Sequence, residues 1–131
     1  MQFNEYKIFN EVKEKSLNMG KITYENFKSI MAYDITQNQA SIEIEFSVDN
    51  CDAFQSAWLG KMSDKKANKA IYWFGLTDDG SQAYDFVSFE EFVNAKVFND
   101  KNLIEIWDSI TLLSIDACDI QERLPFYLSL T

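Results

Sequence analysis

The chain has 131 residues, with twelve bases against twenty-one acids, a net charge of −9 and no histidine. Without imidazole there is no Ser-His-Asp triad, no Cys-His pair and no His-bearing metal site. Apolar residues make up 47% of the chain, with eleven Phe, six Tyr and three Trp, which excludes a disordered acidic tail.

This length suits one domain over residues 1–131, with enough chain to bury a core without staples. No apolar run approaches the ~20 residues that span a bilayer. The first fifteen residues lack an apolar core behind a basic start, so no signal peptide is visible. The expected compartment is the cytoplasm, and no membrane partner is expected. Cys51 and Cys118 fit that setting as reduced, partly buried thiols, although a bridge between them stays open. Two thiols do not make a zinc site.

Residues 4–16 place Tyr6, Phe9 and Val12 at helical spacing, and Gly20 ends the run. Thr23 reads as the N-cap of a second helix over residues 24–32 that buries Phe27, Ile30 and Met31. The Tyr, Ile and Phe of both segments equally suit strands. Residues 41–48 alternate strictly, which predicts a strand with Ile42, Ile44, Phe46 and Val48 inward and Glu43 and Glu45 outward. Residues 52–59 predict a short helix carrying Phe54, Trp58 and Leu59, stopped by Gly60. Lys61, Lys65, Lys66 and Lys69 then read as a solvated connection rather than a phosphate-binding stripe, so no direct contact with nucleic acid is expected.

Residues 71–87 form the clearest hairpin: two apolar runs flank a turn in which Asp79-Gly80 supplies the positive φ that a tight reversal needs. Ser88 and Glu91 then fit a capping box, opening a helix with Phe89, Phe92, Val93 and Val97 on its apolar face. Asn99-Asp100 breaks it, and residues 102–107 read as another short helix. Residues 110–115 are a continuous apolar run that predicts a central strand, and the apolar tail 123–128 packs back on the domain. The fold class is α+β: one domain, with an antiparallel sheet and helices packed on it.

Of the nine net negative charges, eight fall in residues 70–131, where three bases face eleven acids. Asp78, Asp79, Asp85, Glu90 and Glu91 lie within fourteen residues, with Tyr84 among them and Tyr72 and Trp73 on the preceding strand of the same hairpin. Along the hairpin Tyr72 and Phe74 point one way while Ile71, Trp73 and Gly75 point the other, so one row is core and the other is available to a partner. An exposed aromatic rimmed by carboxylates has the composition of a binding hot spot for a Lys/Arg-rich surface. The alternative is that every one of these aromatics is core and the acids only keep the chain soluble. The carboxylate pairs Glu43/Glu45, Asp78/Asp79 and Glu90/Glu91 have ordinary explanations as a solvated strand face, a turn and a helix start. No catalytic residue, metal ligand or cofactor motif is assigned.

The run Ile71-Tyr72-Trp73-Phe74-Gly75-Leu76, Asp79-Gly80, Tyr84-Asp85-Phe86 and Ser88-Phe89-Glu90-Glu91-Phe92 resembles bacterial immunity proteins of contact-dependent inhibition and other polymorphic toxin systems. Within them it is similar to the SUKH superfamily, which has a glycine-bearing hairpin followed by a helix start of this kind. The resemblance covers roughly residues 70–95. It implies a non-enzymatic cytoplasmic inhibitor whose partner is a cognate toxin domain, often a nuclease with a basic cleft. The contact surface expected on charge grounds is Asp78, Asp79, Asp85, Glu90 and Glu91, with Tyr72 or Trp73 as aromatic anchor. Two other readings fit the same composition. One is an acidic nucleic-acid mimic that inhibits a defence nuclease, and the other is a small-molecule-binding domain with an aromatic pocket.

Overall fold

A computed structural model of the chain describes residues 20–32, 41–64 and 69–129. The helix expected over residues 4–16 and the lysines Lys65 and Lys66 lie outside the described residues. Three helices and six strands occur among those described: α1 (Tyr24–Met31), β1 (Ile42–Val48), β2 (Ala57–Asp64), β3 (Lys69–Gly75), β4 (Ala83–Phe86), α2 (Phe89–Asn94), β5 (Ile110–Ile115), β6 (Cys118–Asp119) and α3 (Ile120–Ser129). The strands form one sheet in the order β4-β3-β2-β1-β5-β6, and every neighbouring pair is antiparallel. The molecule is therefore α+β, with a mixed fold built on a single antiparallel sheet.

Local chemistry accounts for the predicted helix starts. Thr23 Oγ1 accepts from the backbone N–H of Asn26 at 3.0 Å, and Ser88 Oγ accepts from that of Glu91 at 3.1 Å. Each cap satisfies an amide that has no partner inside its helix. α1 buries Phe27, Ile30 and Met31 as its spacing requires. α2 is shorter than expected, because Ala95 takes an extended backbone and Val97 falls beyond the last turn. Asn99 and Asp100 then both adopt positive φ and reverse the chain between Phe98 and Lys101.

Three expectations are corrected. Residues 52–59 are not a helix: one 3₁₀ turn, Asp52–Phe54, leads into β2. The two-residue period of β2 is hidden in the sequence because its inward positions include Lys61 and its outward ones Trp58 and Met62, opposite to the usual polarity. Lys61 is accordingly no part of a solvated cluster. It is 2% exposed, and its ammonium donates to the Met31 carbonyl at 2.7 Å, at the C-terminal end of α1 where a cation is favoured. Residues 102–107 carry a reciprocal cap, Asn102 N–H to Glu105 Oε1 at 3.1 Å and Glu105 N–H to Asn102 Oδ1 at 2.8 Å, but only turns and a 3₁₀ segment (Trp107–Ser109) follow.

β5 is paired on both sides yet lies second from the edge rather than at the centre, with the two-residue β6 and the Gly20 carbonyl (2.8 Å from Leu112 N) on its outer side. Its ladder with β1 shifts between Ser114 and Leu112, which bulges Leu113 toward solvent and keeps Ile110, Leu112 and Ile115 inward. The tail packs back as expected, as α3, through Ile120 and Leu124. Both cysteines are free, and Cys118 is exposed rather than packed, because it sits on the short β6 edge.

The core lies between the sheet and the helices. Phe92 of α2 stacks on Phe74 of β3 at 4.3 Å, Phe89 meets Phe27 of α1 at 6.2 Å, and Phe27 lies 4.5 Å from Trp107. These contacts put α1 and α2 on the same side of the sheet, the side reached by Ile42, Ile44, Phe46, Leu59 and Phe74.

Candidate functional site

Register and alternation decide which side chains share the opposite face of the sheet. Tyr72 and Phe74 contact Phe92 and so point to the helices; Trp73 between them points away. Across the ladders, Trp73 pairs with Gly60 on one side and Asp85 on the other, and Gly60 pairs in turn with Glu43. The next row holds Glu45, Trp58, Gly75 and Ala83. A third row pairs Met62 with Ile71, which are 60% and 44% exposed. Among the described residues no helix packs on this face. It presents two half-buried tryptophans and two exposed aliphatic side chains, bordered by Glu43, Glu45 and Asp85.

Two close approaches hold the face in shape. A β-carbon at Gly60 would collide with the Ile42 carbonyl oxygen and would sit 2.6 Å from the Trp73 ring, so the indole lies over bare backbone. Glu45 is fixed by Ser56 Oγ, donating at 2.6 Å, and by Ser114 Oγ at 3.3 Å.

The β3–β4 turn is organised by Asp79. Its Oδ1 accepts from the Ser81 backbone N–H at 2.9 Å and from the Thr77 hydroxyl at 2.8 Å, and Gly80 takes φ +75°. The Ser81 amide, then the Ser81 and Thr77 hydroxyls, hold the Asp79 carboxyl down at about 2. Asp79 is thus a turn-building acid, while its neighbour Asp78 is exposed.

The structure divides the expected surface. Trp73 and Asp85 are brought together as a cross-strand pair on the open face, with Asp78 and Asp79 in the turn of the same hairpin. Glu90 and Glu91 are exposed on α2, in the helical layer behind the sheet. Tyr72 also faces that layer, 5.7 Å from Phe89 and 5.6 Å from Phe92, and burial raises its hydroxyl pKa. The aromatic anchor available on the open face is therefore Trp73. Trp58, Met62 and Ile71 join it there, and the sequence hides their grouping because residues 52–59 predict a helix and Lys61 a solvated connection, so β2 does not show as a strand. The paired Gly60 and Gly75, each opposite a tryptophan, were the available signal.

One cleft of about 220 Å³ lies elsewhere, between the end of β1 and the turn at Asn99, lined by Val48, Cys51, Phe54, Phe98, Lys101 and Ile106 among others. It is smaller than the ~300–1,000 Å³ usual for small-molecule sites. No group of three metal-ligating side chains occurs among the described residues, and no described helix is long and apolar enough to cross a membrane. Comparison with protein-family models, curated proteins and solved structures gives no match.

Proposed function

We propose that this chain is an immunity-type binding protein that neutralises a basic toxin domain, of the nuclease kind, through the β3–β4 end of its open sheet face. The observation that carries this reading is the cross-strand pair Trp73–Asp85, an indole and a carboxylate side by side on a face that no described helix covers. A flat aromatic held over glycine gives a rigid apolar contact. Carboxylates beside it steer a Lys/Arg-rich surface onto it and raise the association rate. The toxin class comes from the resemblance of residues 70–95 to immunity proteins. The nucleic-acid mimic fits less well, because it needs its acids along one face and Glu90 and Glu91 lie behind the sheet from Asp85.

The test is affinity purification of the tagged chain from its own cells, followed by titration of the captured protein. The expected partner is a basic toxin domain whose Kd weakens steeply with salt and rises at least about tenfold with Asp85→Lys or Trp73→Ala. A partner whose affinity ignores salt and both substitutions overturns the reading.

A further inference from the structure

β4 is the outer strand of the sheet, and no described strand pairs with its outer edge. The bond from Leu76 N–H to the Gln82 carbonyl, at 3.0 Å, sets the phase of its ladder with β3. Residues 82, 84 and 86 therefore turn their backbone groups toward β3, and Ala83 and Asp85 turn theirs outward. An edge of this kind is a ready template for another strand. Acids mark its length: Asp78 and Asp79 in the turn before it, Asp85 within it, and Glu90 and Glu91 at the helix start just after it.

We infer that β4 accepts an added strand from a basic partner protein, an extended segment in which Lys or Arg alternates with apolar residues. This rests on the proposed binding of a basic partner and specifies how that partner engages. Side chains of an added strand alternate as those of β4 do. One set falls beside Ala83 and Asp85 on the open face, where Lys or Arg meets the Asp85 carboxylate. The other set falls beside Tyr84 and Phe86 on the helical side, where apolar groups cover partly exposed rings. A second copy of this chain is a poor occupant: it would bring another nine net negative charges to an acidic edge.

The probe is an acetylated, amidated peptide, Val-Lys-Val-Arg-Val-Lys-Val, titrated into the isotope-labelled full chain and followed by backbone amide resonances. A second peptide carries N-methyl groups on every other residue, which removes the donors on one edge while keeping charge. The two phases of methylation are made, so that one of them blanks the donors that face β4. The expected result is shifts and at least about tenfold slower hydrogen exchange at the Ala83 and Asp85 amides. One phase of methylation should weaken binding at least about tenfold while the other does not, and Asp85→Lys should weaken the unmodified peptide similarly. If all three peptides bind alike, with shifts centred on Trp58 and Trp73, strand addition is overturned and the acidic-surface reading stands. If no cationic peptide binds at low salt, both fall. Self-association of the chain through β4 would also overturn the inference.

Discussion

Trp73 lies across the ladder from Gly60, with its ring atoms 2.6 and 2.7 Å from where a β-carbon at position 60 would stand. The pair fixes the indole flat against the sheet, and the backbone of β1 closes the other side of the same space. Gly60→Ala is therefore expected to destabilise the fold by about 2–3 kcal/mol, the cost of overpacking a site with no slack. Adding Trp73→Ala should recover only part of that loss, because the Ile42 carbonyl oxygen remains in the way. Urea unfolding of the two single variants and the double variant measures the coupling.

Lys61 provides a second case in which one residue ties two elements together. Its ammonium meets the Met31 carbonyl at the end of α1 from within β2. Lys61→Met keeps the volume and removes the donor, leaving a buried acceptor bare. The expected cost is about 1–3 kcal/mol, read as a lower urea midpoint with an unchanged slope. A slope that falls as well would mean that α1 has detached from the sheet.

The hairpin was legible in the sequence because its signals are local. Asp79-Gly80 set the turn, the apolar runs set the strands, and Ser88 opened the following helix. The Trp73–Asp85 pairing was not legible, because it depends on Gln82 joining the ladder opposite Leu76, a position that the sequence places in the turn. Which aromatic faced out was not readable, since alternation yields two rows and only the position of α2 tells them apart. β2 escaped for a different reason: an inward lysine and outward Trp58 and Met62 invert the pattern on which strand reading depends. The division of Glu90 and Glu91 from Asp85 follows from packing as well, because Phe89 and Phe92 draw α2 under the sheet and carry both acids with it.

Asp79 carries a pH dependence with a definite sign. Its carboxyl titrates at about 2 in the folded chain, below the usual carboxylate value near 3.8. A depressed folded pKa gives stability that is fully present above the unfolded value and is lost as the pH falls through the folded one. The wild type is therefore expected to be more stable than Asp79→Asn at neutral pH, with the difference closing between about pH 4 and pH 2. Thermal unfolding of both proteins across that range checks it. The same bonds make Asp79 a poor position for a charge-reversal test of binding, because its loss loosens the turn. Asp78 and Asp85 serve that purpose.

The β5–β6 hairpin turns on two residues in left-handed conformation, Asp116 at φ 54° and Ala117 at φ 64°. Asp116 has local reasons to be there: its Oδ1 accepts from the Glu43 backbone N–H at 3.0 Å, and its Oδ2 lies 3.1 Å from the Arg123 guanidinium. Ala117 carries a β-carbon into a region that favours glycine and is exposed, so removing that carbon sacrifices no buried contact. Ala117→Gly is expected to stabilise the fold by about 1 kcal/mol, the usual left-handed penalty reduced by the entropy that glycine adds to the unfolded chain. Asp116→Gly should do the opposite, because relief of the same backbone penalty is outweighed by loss of the amide bond and the guanidinium contact. Chemical denaturation of the two variants separates backbone strain from side-chain bonding within one turn.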